Sequence, residues 1–302
     1  MKDQADKLRQ IIENLKSRQT SHSEEQKTEN HNNSARVITV TSGKGGVGKT
    51  NVTVNLAVAL SELGLRVVIL DADFGLANID VLFGIIPQYS LVDVIHNQKS
   101  ILEVLSKGPK DIKFLSGGSG VEELVKMDKE QMETFLNNIG VLDNICDIIL
   151  IDTGAGLSDS VMKFVMASDE VLLVTTPEPT SITDAYALVK MISNRNREKV
   201  VKVLVNRAED EKEARDVLNR LTMVSEKFLG LKIRSLGYLL RDDMVIKAVK
   251  LQQPFTICYP KSQASKAIAS IARGLLDIDD RSSSKEETGA RSFMSRLASF
   301  FH

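Results

Sequence analysis

The sequence predicts an α/β fold: a mainly parallel twisted sheet covered by helices on both faces. The first reason is a series of short β-rich runs, RVITVTS from Arg36, LRVVILDAD from Leu65, CDIILIDT from Cys146, EVLLVTTPE from Glu170 and VVKVLVN from Val200. Each is apolar along its length instead of alternating, as expected of parallel strands buried on both faces. The second is that longer helical patterns separate the runs, which gives a sheet wound with crossover helices. In such sheets ligands bind beyond the carboxyl ends of the strands, so residues just after each run are the candidates for chemistry.

The 302 residues, 42% of them hydrophobic, suffice for one large domain or two smaller ones. A net charge of -1 leaves no global basic field, which disfavours nucleic acid as a partner. Cys146 and Cys258 lie far apart in apolar stretches and suit reduced core thiols in the cytosol. The N-terminus lacks the apolar stretch of a secretory signal, and no run approaches the ~20 apolar residues of a membrane span. The expected location is therefore cytoplasmic.

Composition divides the chain into five parts. Residues 1–16 carry Leu8, Ile11, Ile12 and Leu15 at helical spacing among charges, an amphipathic helix. Residues 17–35, SRQTSHSEEQKTENHNNSA, contain almost nothing to bury and read as a disordered linker. The α/β domain spans 36–276, with its first helix over about 49–63 stopped at Gly64. An acidic, Ser-rich linker covers 277–288. In 289–302, Phe293, Met294, Leu297, Phe300 and Phe301 fall on one helical face beside Arg291 and Arg296. Such a helix can lie in a lipid interface, marginally as one copy and with avidity as two. The competing reading packs it on its own domain or on a protein partner.

After the first run comes Gly43-Lys44-Gly45-Gly46-Val47-Gly48-Lys49-Thr50, which satisfies G-x-x-x-x-G-K-[ST] in a strand-loop-helix setting. Glycines let successive backbone N–H groups turn inward on phosphate oxygens, and the helix N-terminus reinforces them. Lys49 supplies a cation to the β and γ phosphates, and the Thr50 hydroxyl suits Mg²⁺. The second run ends in Asp71-Ala72-Asp73. With a phosphate loop upstream, Asp73 is placed to orient an attacking water, and Asp71 to support the metal or its waters. Asp152 closes an apolar strand as a Walker B carboxylate does, meeting Mg²⁺ through water. Gly154 and Gly156 after it allow the backbone to shift with the γ-phosphate, making a candidate switch. At the end of the fifth run, the Asn206 amide beside Arg207 can both donate to and accept from a base edge.

The form Lys44-Gly45-Gly46-Val47-Gly48-Lys49-Thr50 resembles the deviant Walker A motif of the MinD and ParA family of P-loop ATPases. That resemblance implies a MinD-like P-loop NTPase fold, slow switch-type hydrolysis of ATP with Mg²⁺, and an ATP sandwich homodimer in which Lys44 reaches the partner's phosphates. It also assigns Asp73 to hydrolysis, places Asn51 and Asn78 near the nucleotide, gives Asn206 to adenine, and sets Leu240, Arg241 and Asp242 beside the base. At the N-terminus, Asp3-Gln4-Ala5-Asp6-Lys7-Leu8-Arg9 is similar to the D-Q-A-x-x-L-R activator motif of the FlhG (YlxH/FleN) family of flagellar regulators. From that family follow a partner-binding role for Asp3, Gln4, Ala5, Leu8 and Arg9 on the GTPase FlhF, contacts with flagellar basal-body or C-ring proteins, and control of flagellar placement and number. The implied cycle has ATP drive dimerisation, the dimer rest on the inner face of the membrane through its tails, and hydrolysis release it. The rival is a ParA-type DNA-partitioning ATPase, which shares the loop but calls for a basic face in place of an apolar tail.

Overall fold

All five apolar runs are strands. A computed structural model describes residues 34–73, 78–117, 123, 127–277 and 288–301. The amphipathic segment 1–16 with its motif, residues 17–33 of the first linker, residues 278–287 of the second and His302 lie outside the described residues. Among those described, the strands are β1 (Arg36–Thr41), β2 (Val67–Ala72), β3 (Ser106–Lys107), β4 (Lys113–Ser116), β5 (Ile148–Thr153), β6 (Glu170–Thr175), β7 (Val200–Ala208) and β8 (Ile233–Leu240). They form one sheet in the order β3-β4-β2-β5-β1-β6-β7-β8. Neighbours are parallel except the short β3–β4 pair at one edge.

Each inner strand feeds two cores, which is why its sequence does not alternate. From β1, Ile38 and Val40 enter the core on one face and Val37 the core on the other. From β5, Ile148 and Leu150 go one way, Ile149 and Ile151 the other. The first face is covered by α1 (Lys49–Glu62), α2 (Ile79–Phe83), α10 (Asp243–Lys250), α11 (Phe255–Cys258) and α12 (Gln263–Asp277). On the opposite face lie α3 (Leu91–Ile95), α4 (Ile101–Val104), α5 (Lys129–Gly140), α6 (Leu142–Ile145), α7 (Asp159–Ala167), α8 (Pro179–Arg195), α9 (Glu211–Val224) and α13 (Ala290–Ser299). Local chemistry sets many of the helix starts. Asp128 with Gln131 forms a capping box at α5, Ser158 caps α7, Asp210 caps α9 and Asp242 caps α10. The predicted first helix ends one residue early, at Glu62, and Gly64 follows with φ +90°.

At the end of the sheet remote from the phosphate loop, a charge cluster is buried. Glu170 pairs with Arg36 and, at 2.6 Å, with Lys202, all three nearly inaccessible. Burial pushes the Glu170 carboxyl up, but the Arg36 and Lys202 cations outweigh it and hold it below the usual carboxylate range. Removing one member of such a group strands the others, a penalty of about 3–5 kcal/mol.

The C-terminal segment departs from the picture of a free lipid-seeking tail. It is helical over Ala290–Ser299 as its spacing requires, yet its apolar face is buried on the domain. Phe293, Met294 and Leu297 are 2%, 4% and 0% exposed, in one core with Leu91, Phe135, Ile139 and Phe164. Phe301 is half-buried, and Phe300 stays largely exposed. The seat has polar fixings too: Arg296 Nε donates to the Ala167 carbonyl at 2.7 Å and Nη2 to Asp169 Oδ1 at 2.8 Å. Asp143 accepts from Ala290 N at 2.7 Å and from Ala35 N at 3.1 Å, joining the start of α13 to the entry of β1. Gly289 turns the chain there with φ +109°, and a Cβ on it would lie 2.6 Å from Asp143 Oδ1. The physical reason is simple: a groove of matching apolar spacing lies on the same chain, and an apolar helical face takes the nearest cover.

Candidate nucleotide site

The loop between β1 and α1 has the backbone freedom its glycines predict, for two distinct reasons. Gly46 and Gly48 adopt φ +76° and +90°, which L side chains rarely reach. Gly43 is required by close approach, since a Cβ there would fall 2.4 Å from the Asp184 backbone. Gly45 and Val47 complete the turn, and Lys49, Thr50 and Asn51 open α1, so the loop delivers its N–H groups at a helix N-terminus.

Lys49 is buried at 7% exposure and pairs with Asp152 Oδ1 at 2.9 Å. Thr53, one turn further along α1, places its hydroxyl 3.1 Å from the same oxygen. Asp152 Oδ2 is left buried with no hydrogen-bond partner, as is Thr41 Oγ1 at the end of β1. An orphaned carboxylate oxygen costs several kcal/mol of lost solvation unless something binds it. A divalent cation would satisfy it, and the Thr50 hydroxyl opening α1 supplies a further oxygen donor, so the residues present fit Mg²⁺ held with a triphosphate.

Register brings a second carboxylate alongside. Asp71 on β2 is the direct cross-strand partner of Asp152 on β5. Burial, and then the Asp152 charge, push the Asp71 carboxyl up to about 6, against three backbone hydrogen bonds that pull it down. Those bonds come from Asp73 N, Asn78 N and Ile79 N at 3.1, 3.1 and 3.2 Å. Asp71, expected to serve the metal, here fastens both ends of the loop that follows β2. Asp73 lies beyond it and, with Thr153, Gly154, Ala155 and Ser158, lines a cavity of about 210 Å³. The Gly154–Gly156 turn is tied back to the phosphate loop by Gly156 N donating to the Ser42 carbonyl at 2.9 Å.

Asn206 packs on the loop, its Nδ2 donating to the Val47 carbonyl at 2.7 Å and lying 2.5 Å from where a Gly48 Cβ would be. Arg207 follows with φ +58°. Of the residues expected beside the base, Leu240 ends β8, Arg241 pairs with Glu209 at 2.9 Å, and Asp242 bridges Met244 N and Ala264 N. Lys44 sits at the rim, 38% exposed, with its Nζ 2.7 Å from Glu178 Oε2 and 2.9 Å from Thr180 Oγ1. The Lys44 bond holds the Glu178 carboxyl below its usual range. Glu178, Thr180 and Thr53 were invisible to motif reading. The available signals were, for Glu178, an acid three residues past a buried strand and, for Thr53, a threonine at i+4 from Lys49 on an otherwise apolar helix face.

A phosphate loop after a central parallel strand, with a terminal acid on the adjacent strand, defines a P-loop nucleotide hydrolase. The family described as "ParA: NUBPL iron-transfer P-loop NTPase" matches residues 33–276. The chain is 42% identical over 238 residues to the antiactivator FleN of Pseudomonas aeruginosa, covering 79% of this chain and 85% of that protein. It is 34% identical over 276 residues to the flagellum site-determining protein YlxH of Helicobacter pylori, covering 88% and 90%. The MinC:MinD cell division complex of Aquifex aeolicus contains a chain that superposes with TM-score 0.66 at 28% identity, covering 81% of this chain and 97% of that one. The chain therefore belongs to the MinD/ParA family of P-loop ATPases.

Proposed function

We propose that this ATPase is a membrane-associating, ATP-dependent homodimeric switch that regulates the placement and number of flagella. The observation that carries the switch is Lys44: a cation at the rim of the cradle whose partners among the described residues, Glu178 and Thr180, are both exposed, so another subunit's phosphates can compete for it. The names of the FleN and YlxH relatives support the flagellar setting. In the bound state, backbone N–H groups of residues 43–50 and Lys49 hold the phosphates. Thr50 and Asp152 would hold Mg²⁺, whose charge would neutralise the phosphate oxygens. Asp73 orients water, while Asn78, Asn206 and the Leu240–Asp242 loop flank the nucleoside. Lys49 must exchange Asp152 for phosphate when ATP enters, which couples occupancy of the cradle to the adjacent strand.

On this reading α13 is the membrane element in its stored position. Three large apolar side chains in the seat contribute about 2 kcal/mol each, set against the cost of ordering the helix, so the seat is shallow enough for nucleotide to bias. Released in pairs from a dimer, Phe293, Met294, Leu297, Phe300 and Phe301 meet lipid with avidity. Among the described residues no helix is long and apolar enough to cross a membrane. The full chain is expected to cosediment with anionic liposomes only with a non-hydrolysable ATP analogue, and a chain ending at residue 287 to bind the analogue yet stay in the supernatant. Equal sedimentation of the two chains would remove the tail from the account. The Asp3–Arg9 motif then serves FlhF. Deleting residues 1–16 is expected to spare ATPase activity and lose stimulation of the FlhF GTPase; undiminished stimulation would refute that role.

A further inference from the structure

We infer that α7 links the nucleotide to the C-terminal helix, with Phe164 as the wall they share and Lys163 as a second hold on the tail. This rests on the reading that nucleotide releases α13, and it names the residues that do so. The turn Thr153–Leu157, which carries Gly154 and Gly156 and is tied to the phosphate loop through Ser42, runs straight into Ser158, the cap of α7. Any shift of that turn is a shift of the start of this helix. Phe164, on α7, borders the cavity that holds Asp73, Thr153 and Gly154. It also borders a narrow void between Asp71, Gly117, Met294 and Leu297, and its ring lies 6.2 Å from that of Phe293. Phe164, together with Ala72, thus stands between the Asp73 cavity and the seat of α13.

The remaining contacts along α7 point the same way. Lys163 Nζ stands 3.8 Å above the Phe301 ring while pairing with Asp159 Oδ2 at 3.1 Å. At the far end of the helix, the Ala167 carbonyl accepts from Arg296. The tail therefore meets α7 at its middle and last turns, and α5 adds an apolar wall on another side of the seat. Packed elements move as units between discrete arrangements, so displacement of α7 by a bound γ-phosphate opens the seat.

Amide hydrogen exchange of residues 290–299 in the full chain, with ADP and with a non-hydrolysable ATP analogue, tests this. Wild type is expected to open at least roughly tenfold more readily with the analogue. Phe164→Leu, which keeps the seat apolar but shortens the wall, and Lys163→Met should each shrink that ratio to about twofold or less while nucleotide still binds. Leu136→Ala on α5 weakens the same seat from the other side and should raise exchange with both nucleotides, leaving the ratio intact. Should Phe164→Leu and Lys163→Met keep the wild-type ratio, the link does not run through α7 and the inference falls. A wild-type chain with no ratio at all would overturn nucleotide release itself, and this inference with it.

Discussion

Lys44→Ala is expected to lower ATP turnover by roughly 10³-fold, the scale of a cation supplied in trans to a transferring phosphoryl group. It should do so without unfolding the domain. Lys44 is exposed at the rim and its partner Glu178 is more exposed still, so neither supports the core. The loss should appear together with loss of the ATP-dependent dimer by size-exclusion chromatography with light scattering, because in the proposed mechanism the same cation joins the two subunits. Lys49→Ala differs in kind. It strips the phosphates of their own subunit's cation and leaves Asp152 buried and unpaired, so it costs stability as well as binding. If Lys44→Ala dimerised and turned over as wild type does, the homodimeric mechanism proposed here would be untenable.

Asp73→Ala should have the opposite effect on assembly. The carboxylate borders the chamber beside Gly154 and takes no part in the Lys49–Asp152–Thr53 cluster that meets the phosphates. On the proposed assignment its loss removes the group that orients water, lowering turnover by about 10²–10⁴-fold, while phosphate and metal binding persist. The expected product is a long-lived ATP-bound dimer, visible as a dimer peak that survives hours of incubation where wild type returns to monomer. A monomeric Asp73→Ala protein with ATP would show that Asp73 is needed for assembly and that its hydrolytic assignment is mistaken.

The phosphate loop was legible because its chemistry is local. Gly46, Gly48, Lys49 and Thr50 act through backbone angles and one helix start, both written in consecutive residues. The five apolar runs were equally plain, since strands buried on both faces admit few polar residues. Less could be seen between residues 79 and 104, where α2, α3 and α4 are only four or five residues long. A pattern of period 3.6 needs more turns than these helices possess, and only the Ser90 and Ser100 capping boxes betray two of them. β8 was similarly hard to read, since an edge strand has one open side and keeps Arg234 and Ser235 exposed.

Sequence by itself determined the glycine-rich strand-loop-helix at residues 43–50 and that the last segment is an amphipathic helix, for both follow from spacing along one stretch of chain. Tertiary structure alone decided that Asp71 stands across from Asp152 and turns its oxygens to backbone N–H groups, because strand register is a relation between distant runs. It also decided that Lys44 rests on Glu178 and Thr180, and that the tail is seated against α7 in place of facing outward. An amphipathic spacing states that one face must be covered; what covers it depends on which apolar surface the folded chain brings within reach.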